Sequence, residues 1–342
     1  MSNRPERYLV MEHLFCYHSA EARTRCRQML PVAADRQARL AEVLSELERR
    51  FGPDVVYRLN QARPKLGERS VSSGSIGIDH ITGIGGFPRG RPAMIDGPES
   101  SGKTTLAYHL LASSQRDSGM AALIDSEQAV DPTLLSRLGI RLSDLVLGMP
   151  TSPIEALEQA EILARSAALD AIVILGLGGY IQHRVVSDAA RRIALAVAGT
   201  PAALVYVGFA SRVPTSALHA SLSLALRPVG LLAGKGGEIV GMTVRAEVVA
   251  SRLAPPGPAA VVDVVDGIGI SRVLELLRLG TQLGLICESS QGLVYADMLL
   301  GKGRSTALER LSLDAGLAWS LEEDVRRRLG LPAGRPFSSL AP

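Results

Sequence analysis

Gly97-Pro98-Glu99-Ser100-Ser101-Gly102-Lys103-Thr104-Thr105 is the stretch whose reading decides the fold. Its first eight residues follow the pattern G-x-x-x-x-G-K-[ST]. Each position has a physical reason. The glycines let the backbone wrap tightly and aim its N–H groups at phosphate oxygens. A helix that starts here adds its positive end. Lys103 reaches the β- and γ-phosphates as a mobile point charge. The Thr104 hydroxyl is suited to Mg²⁺. The context agrees: RPAMIDG (91–97) reads as a buried strand before the loop, and 103–115 as a helix after it. The expectation is a phosphate-binding loop for ATP with Mg²⁺.

Outward from the loop, strands and helices alternate. MAALIDSE (120–127) reads as a strand and PIEALEQAEILARSAAL (153–169) as an amphipathic helix. DAIVILGL (170–177) and AALVYVGF (202–209) are short and nearly all apolar, as strands covered on both faces are. Such alternation predicts an α/β fold with a parallel sheet. SLSLALRP, MTVRAEVVAS and AAVVDVVDG alternate with period two and predict an antiparallel extension, with a Pro-rich turn at 251–260. A small α-rich unit is expected over 268–331. Before the core, 1–34 reads as a loose extension. Leu40, Val43, Leu44 and Leu47 give 35–51 helical spacing, stopped by Gly52-Pro53, and VVYRL (55–59) reads as a strand. The expected segments are 1–34, 35–70, a nucleotide-binding core at 71–267, a small domain at 268–331 and a tail at 332–342.

The 342 residues are 46% hydrophobic and 21% charged, a globular composition rather than a disordered one. No apolar run reaches the roughly 18–20 residues needed to cross a bilayer, and the first residues lack the pattern of a signal peptide. The expected location is the cytoplasm, away from membranes. Net charge is +3, which permits nucleic-acid binding without demanding it. Only 4% of residues are aromatic, which disfavours a base-stacking platform. The three cysteines, Cys16, Cys26 and Cys287, are read as reduced thiols. His13, Cys16, His18 and Cys26 crowd one stretch, but their spacing matches no standard zinc finger.

The chain resembles the bacterial RecA recombinases. GPESSGKTT (97–105) is that family's own version of the phosphate loop. The likeness extends through SSGSIGIDHITGIGGFPRGR (72–91), ALIDSEQAVDP (122–132), VGMTVRAEVVASRLAPP (240–256) and GIGISRVLELLRLGTQLGLI, and covers about 35–331. The resemblance implies a RecA-like core, an N-terminal docking helix and a small C-terminal α/β domain. It makes Glu127 the candidate general base that activates the attacking water, beside Lys103. It places the nucleotide on Gly97, Pro98, Glu99, Ser100, Ser101, Gly102, Lys103, Thr104 and Thr105, with Asp131 near the adenine. It also implies head-to-tail homo-oligomers, a heterologous interface that can propagate.

Several family positions differ. Leu175 stands where the family's central strand ends in an Asp that orients Mg²⁺, and leucine cannot do so. Phe209 replaces a glutamine that senses the γ-phosphate. Leu134 replaces the aromatic that stacks on adenine. Ala250 and Arg252 replace two lysines that reach a neighbour's ATP, and Arg252 is left as a candidate finger in trans. The DNA-binding loops are shortened to about GGYIQHR and SRVPTSALHA. Arg184, Arg191, Arg192 and Arg212 remain near them, either as phosphate contacts or as solvated charges.

Two functions stay open. One is a regulatory or accessory ATP-binding protein of DNA repair, recombination or the SOS damage response. It would hydrolyse ATP weakly or not at all, with impaired strand exchange, and dock on a RecA filament or a translesion polymerase complex. The other is an active DNA-dependent ATPase and recombinase that binds single-stranded DNA.

Overall fold

Strands that are apolar on both faces need cover on both sides, and the computed structural model places them accordingly, at the centre of one sheet. The structure describes residues 20–51, 70–116, 118–176, 182–208, 215–234 and 236–334; over 20–34 only the backbone is described. The expected strand at 55–59, Phe209, Arg212 and most of the cysteine–histidine stretch lie outside the described residues. The chain divides into two compact units, Met1–Pro64 and Lys65–Pro342.

In the first unit, α1 runs over Ala20–Phe51. It begins well before the expected start at 35, so part of the predicted loose extension is helical. Leu40 and Val43 are about half exposed, at 49% and 50%, while Leu44 and Leu47 are less so.

The second unit opens with β1 (Ser70–Val71), α2 (Ile76–Ile81), β2 (Phe87–Pro88) and β3 (Pro92–Asp96). Then come α3 (Lys103–Ser114), β4 (Ala121–Asp125), α4 (Pro132–Arg137), β5 (Leu145–Gly148), α5 (Pro153–Arg165), β6 (Ala171–Leu175), α6 (His183–Val197) and β7 (Ala203–Val207). The predicted helix at 153–169 stops at Arg165, and Ala167 takes a positive φ just beyond it. Long strands β8 (Leu222–Ala233) and β9 (Ile239–Ser251) lead to β10 (Ala259–Val265) and β11 (Gly269–Ile270).

Among the described residues these strands form a nine-stranded sheet in the order β11-β10-β9-β8-β3-β7-β6-β4-β5. From β8 to β5 neighbouring strands are parallel. From β8 to β11 they are antiparallel, which is the extension read from the period-two alternation. One face of the sheet packs on α3 through Ile95, Leu110, Leu111, Val173 and Val205. The other packs on α5 and α6 through Met94, Ile172, Ile174, Leu204 and Ile193. Each such fully buried side chain contributes about 1.5–3 kcal/mol. Arg192 on α6 is tied to Glu161 on α5 at 2.8 Å, so it braces two helices rather than standing free.

Beyond the sheet lie α7 (Arg272–Gln282), a three-stranded antiparallel sheet of β12 (Ile286–Ser289), β13 (Gly292–Tyr295) and β14 (Met298–Gly301), then α8 (Arg304–Leu313) and α9 (Ala315–Arg328). The region is α/β rather than simply α-rich. It has its own apolar cluster, centred on Leu276, Leu277, Leu311, Leu321 and Val325, yet shares a compact unit with the core. Ile76 belongs to that cluster, so α2 reaches across into it.

Candidate nucleotide-binding site

In a parallel sheet the loops after the strands share one edge, where ligands bind. Here that edge carries the ends of β3, β4, β6 and β7. The loop leaving β3 has Gly97 at φ +151°, Ser100 at +54° and Gly102 at +84°. A Cβ on Gly97 would stand 2.3 Å from the backbone oxygen of Leu226 on β8, so a side chain there has no room. Gly102 caps α3 in the left-handed conformation and offers no side-chain acceptor to the helix's first N–H groups. By contrast, Ser152 caps α5 and Ser271 caps α7 through their hydroxyls. The first-turn donors of α3 are thus left for an anion.

Lys103 opens α3. Its Nζ donates to the carbonyl oxygens of Gly97 at 2.9 Å and Pro98 at 2.5 Å, partners within its own loop. Gly208, just after β7, takes φ +74° beside the lysine stem, where a Cβ would meet Lys103 Cε in ordinary contact at 3.7 Å. Thr104 is exposed and Thr105 partly buried in the first turn. Pro98, Glu99 and Ser100 are exposed, while Ser101 is fully buried and its hydroxyl has no hydrogen-bond partner among the described residues. Wrapped glycines, uncapped helix donors and a lysine that donates to loop carbonyls fit a nucleoside triphosphate. Thr104 fits as the protein's hydroxyl ligand to its Mg²⁺.

Across the strand ends, Asp125 closes β4. It is 1% exposed, and its carboxylate accepts from the backbone N–H of Glu127 at 3.0 Å, Ala129 at 2.7 Å and Val130 at 3.0 Å. This turn puts Gln128 at φ +52° and turns Glu127 toward β6. There a Cβ on Gly176 would lie 2.8 Å from Glu127 Oε1, so the glycine lets the glutamate lie over the strand's end. Leu175, one residue earlier, is 5% exposed and part of the apolar core. Leu134 is also partly buried against that core. Asp131 is exposed and caps α4, accepting from Thr133 N–H at 2.8 Å.

The fold therefore gathers 97–105 and Glu127 on one edge, with Asp131 at the following turn. It does not bring Arg252 there. Ser251 pairs with Leu222 at the start of β8, so Arg252 follows β9 at the opposite edge of the sheet, exposed. Asp125, Gly176 and Gly208 were missed in the sequence. Only Asp125 carried a signal, as an acid at a strand end followed by a short polar turn.

These features define a phosphate-loop nucleotide-binding protein built on a mainly parallel sheet. The model of the RecA N-terminal domain matches residues 38–184. Three curated relatives align over most of their length. Protein RecA of Rubrobacter xylanophilus is 35% identical over 88% of this chain and 95% of its own. Protein RecA of Blastochloris viridis is 32% identical over 89% and 96%. That of Methylobacterium radiotolerans is 31% identical over 92% and 94%. A solved structure of the RadB recombinase is similar over 58% of this chain, with TM-score 0.49 and 19% identity. The chain belongs to the RecA family, whose field is DNA recombination and repair.

Proposed function

We propose that this chain is a regulatory or accessory RecA relative that binds ATP·Mg²⁺ on 97–105 and turns it over weakly or not at all. One observation carries the reading: the phosphate cradle is complete, while the end of the central strand β6 is filled by Leu175, buried in the core. Phosphoryl transfer depends on positioned charge, so an apolar residue at that point lowers turnover more than binding. Lys103 and the Gly97 and Gly102 backbone hold the phosphates, and Thr104 ligates the metal. The half-exposed stripe of α1, with Leu40 and Val43, supports docking of this helix on a RecA filament or a translesion polymerase complex in the damage response. Deleting residues 1–59 is expected to abolish association with a RecA filament; unchanged association overturns the docking.

Glu127, held by the Asp125 turn and lying over Gly176, favours the second reading, an active DNA-dependent ATPase that binds single-stranded DNA and assembles head to tail. Arg252 would then act on the neighbouring subunit's nucleotide. ATP turnover by the purified protein, with and without single-stranded DNA and beside Lys103→Ala, decides between them. Turnover no greater than in Lys103→Ala supports the accessory role. DNA-stimulated turnover that disappears in that variant overturns it.

A further inference from the structure

Six residues after the phosphate-loop lysine, on the same helix, His109 meets the carboxy-terminal region. Its Nε2 accepts the backbone N–H of Ile270 at 2.8 Å. The ring is clamped between two glycines. A Cβ on Gly269 would stand 2.3 Å from Nε2, and one on Gly74 would stand 2.8 Å from the histidine Cβ. Both glycines have positive φ, +83° and +87°, so no other residue fits easily at either place. Because Nε2 accepts, the ring is neutral with its proton on Nδ1. Burial pushes its pKa down to about 4, and the charges of Arg116 and Arg272 add to this.

Ile270 stands directly before Ser271, the residue that caps α7. From there a continuous polar chain runs on. Glu275 on α7 is 1% exposed and accepts from Ser75 Oγ at 2.5 Å, Gly77 N at 2.9 Å and Ile76 N at 3.1 Å. Arg272 joins Glu275 at 3.2 Å and pairs with Glu322 on α9 through both Nε and Nη2. Glu322 also takes Arg326 Nε at 2.8 Å. The nucleotide-binding helix, the start of α2, α7 and α9 are thus joined by directional bonds. The bond from His109 to Ile270 is the link that starts on α3.

We propose that His109 is a positioning residue that couples the phosphate loop to the carboxy-terminal region. Triphosphate binding at Lys103 steadies α3, and His109 passes that restraint to Ile270 and the first turn of α7. The helix is a rod of about 18 Å between its ends, at 1.5 Å per residue, so a restraint at one end is felt along it. Coupling of this kind is reciprocal: fixing α7 also favours the nucleotide-bound loop. The proposal rests on the nucleotide-binding reading above.

Amide hydrogen exchange of the full chain over 270–282 tests it, with and without Mg²⁺·ATP, in the wild type, His109→Gln and His109→Leu. Calorimetry measures nucleotide binding separately, and thermal melting establishes that each variant is folded. Glutamine keeps an acceptor for Ile270 N–H; leucine fills the space without one. Nucleotide is expected to slow exchange across 270–282 several-fold in the wild type and in the glutamine variant. In the leucine variant that slowing is expected to vanish while nucleotide still binds. Two results overturn the coupling: bound nucleotide that leaves 270–282 of the wild type unchanged, or a leucine variant that keeps the full slowing. A wild type that binds no nucleotide overturns the nucleotide reading instead, and the coupling falls with it. The wild-type comparison stands even where the leucine variant does not fold.

Discussion

Two polar regions of this molecule, the phosphate loop and the junction of α2, α7 and α9, satisfy their polar groups in opposite ways. At the junction each buried acid has its donors: Asp79 takes Ser72 Oγ at 2.5 Å, Ser73 Oγ at 2.6 Å and Ser73 N at 2.7 Å, Glu275 takes Ser75 and Arg272, and Glu322 takes Arg272 and Arg326. In the loop, among the described residues, the α3 donors have no side-chain cap, Lys103 donates to the carbonyls of Gly97 and Pro98, and Ser101 Oγ has no partner. Buried polar groups are normally satisfied within the protein. A region that closes all its bonds internally is structural, and one that leaves donors open is prepared for a ligand. The comparison assigns stability to the junction and binding to the loop.

Removing one member of the junction is expected to have the largest effect. Burial alone would raise the Glu322 pKa, but Arg272 and Arg326 more than offset it and hold the carboxyl below its ordinary range. Glu322→Leu takes from Arg272 and Arg326 the carboxylate they share, leaving Arg272 with Glu275, and denaturant unfolding should lose about 3–5 kcal/mol. The folded fraction should still bind nucleotide; loss of binding at full folding would break the division of roles.

At the strand end, Leu175→Asp puts an unpaired carboxyl into an apolar core. It should cost at least ~2 kcal/mol in the same assay. A variant as stable as the wild type would mean that polar partners for an acid are present there after all.

Lys103→Ala should act the other way round. It should cost about 1.5–3 kcal/mol in triphosphate binding by calorimetry, the range for hydrogen bonds to a charged group. Stability should change by no more than about 0.5 kcal/mol.

In the wild type the smallest net effect is a pH dependence, because two larger slopes oppose each other. Burial pushes Asp79 up to about 6 against its serine donors, so folding takes up a proton and stability falls as pH rises from about 4 to 6. His109, pushed down to about 4, releases a proton on folding, so its contribution rises with pH over about 4 to 6.5. The two slopes oppose each other. Relative to the wild type, Asp79→Asn should gain a rising slope between pH 4 and 6, and His109→Gln a falling one. Unfolding free energies measured across that range check this, and parallel curves for all three proteins would refute it.

The resemblance and the loop motif made the site's first half legible, because 97–105 is contiguous and its chemistry depends on residue type and order. The central strands were legible for a similar reason: burial on both faces leaves nearly unbroken apolar runs such as AIVIL at 171–175. The start of α1 was not, since Ala20–Ala34 shows little apolar periodicity to mark a helix. Nor was the role of Arg192, whose partner Glu161 lies on another helix.

What the sequence determined by itself was the α/β class, the phosphate loop and the family, all carried by short-range order along the chain. The tertiary structure alone decided that Gly176 makes room for Glu127, that Arg252 lies at the far edge of the sheet, and that His109 joins α3 to Ile270. The reason is separation along the chain. His109 and Ile270 are 161 residues apart, and only the packed sheet and helices bring such groups within bonding distance.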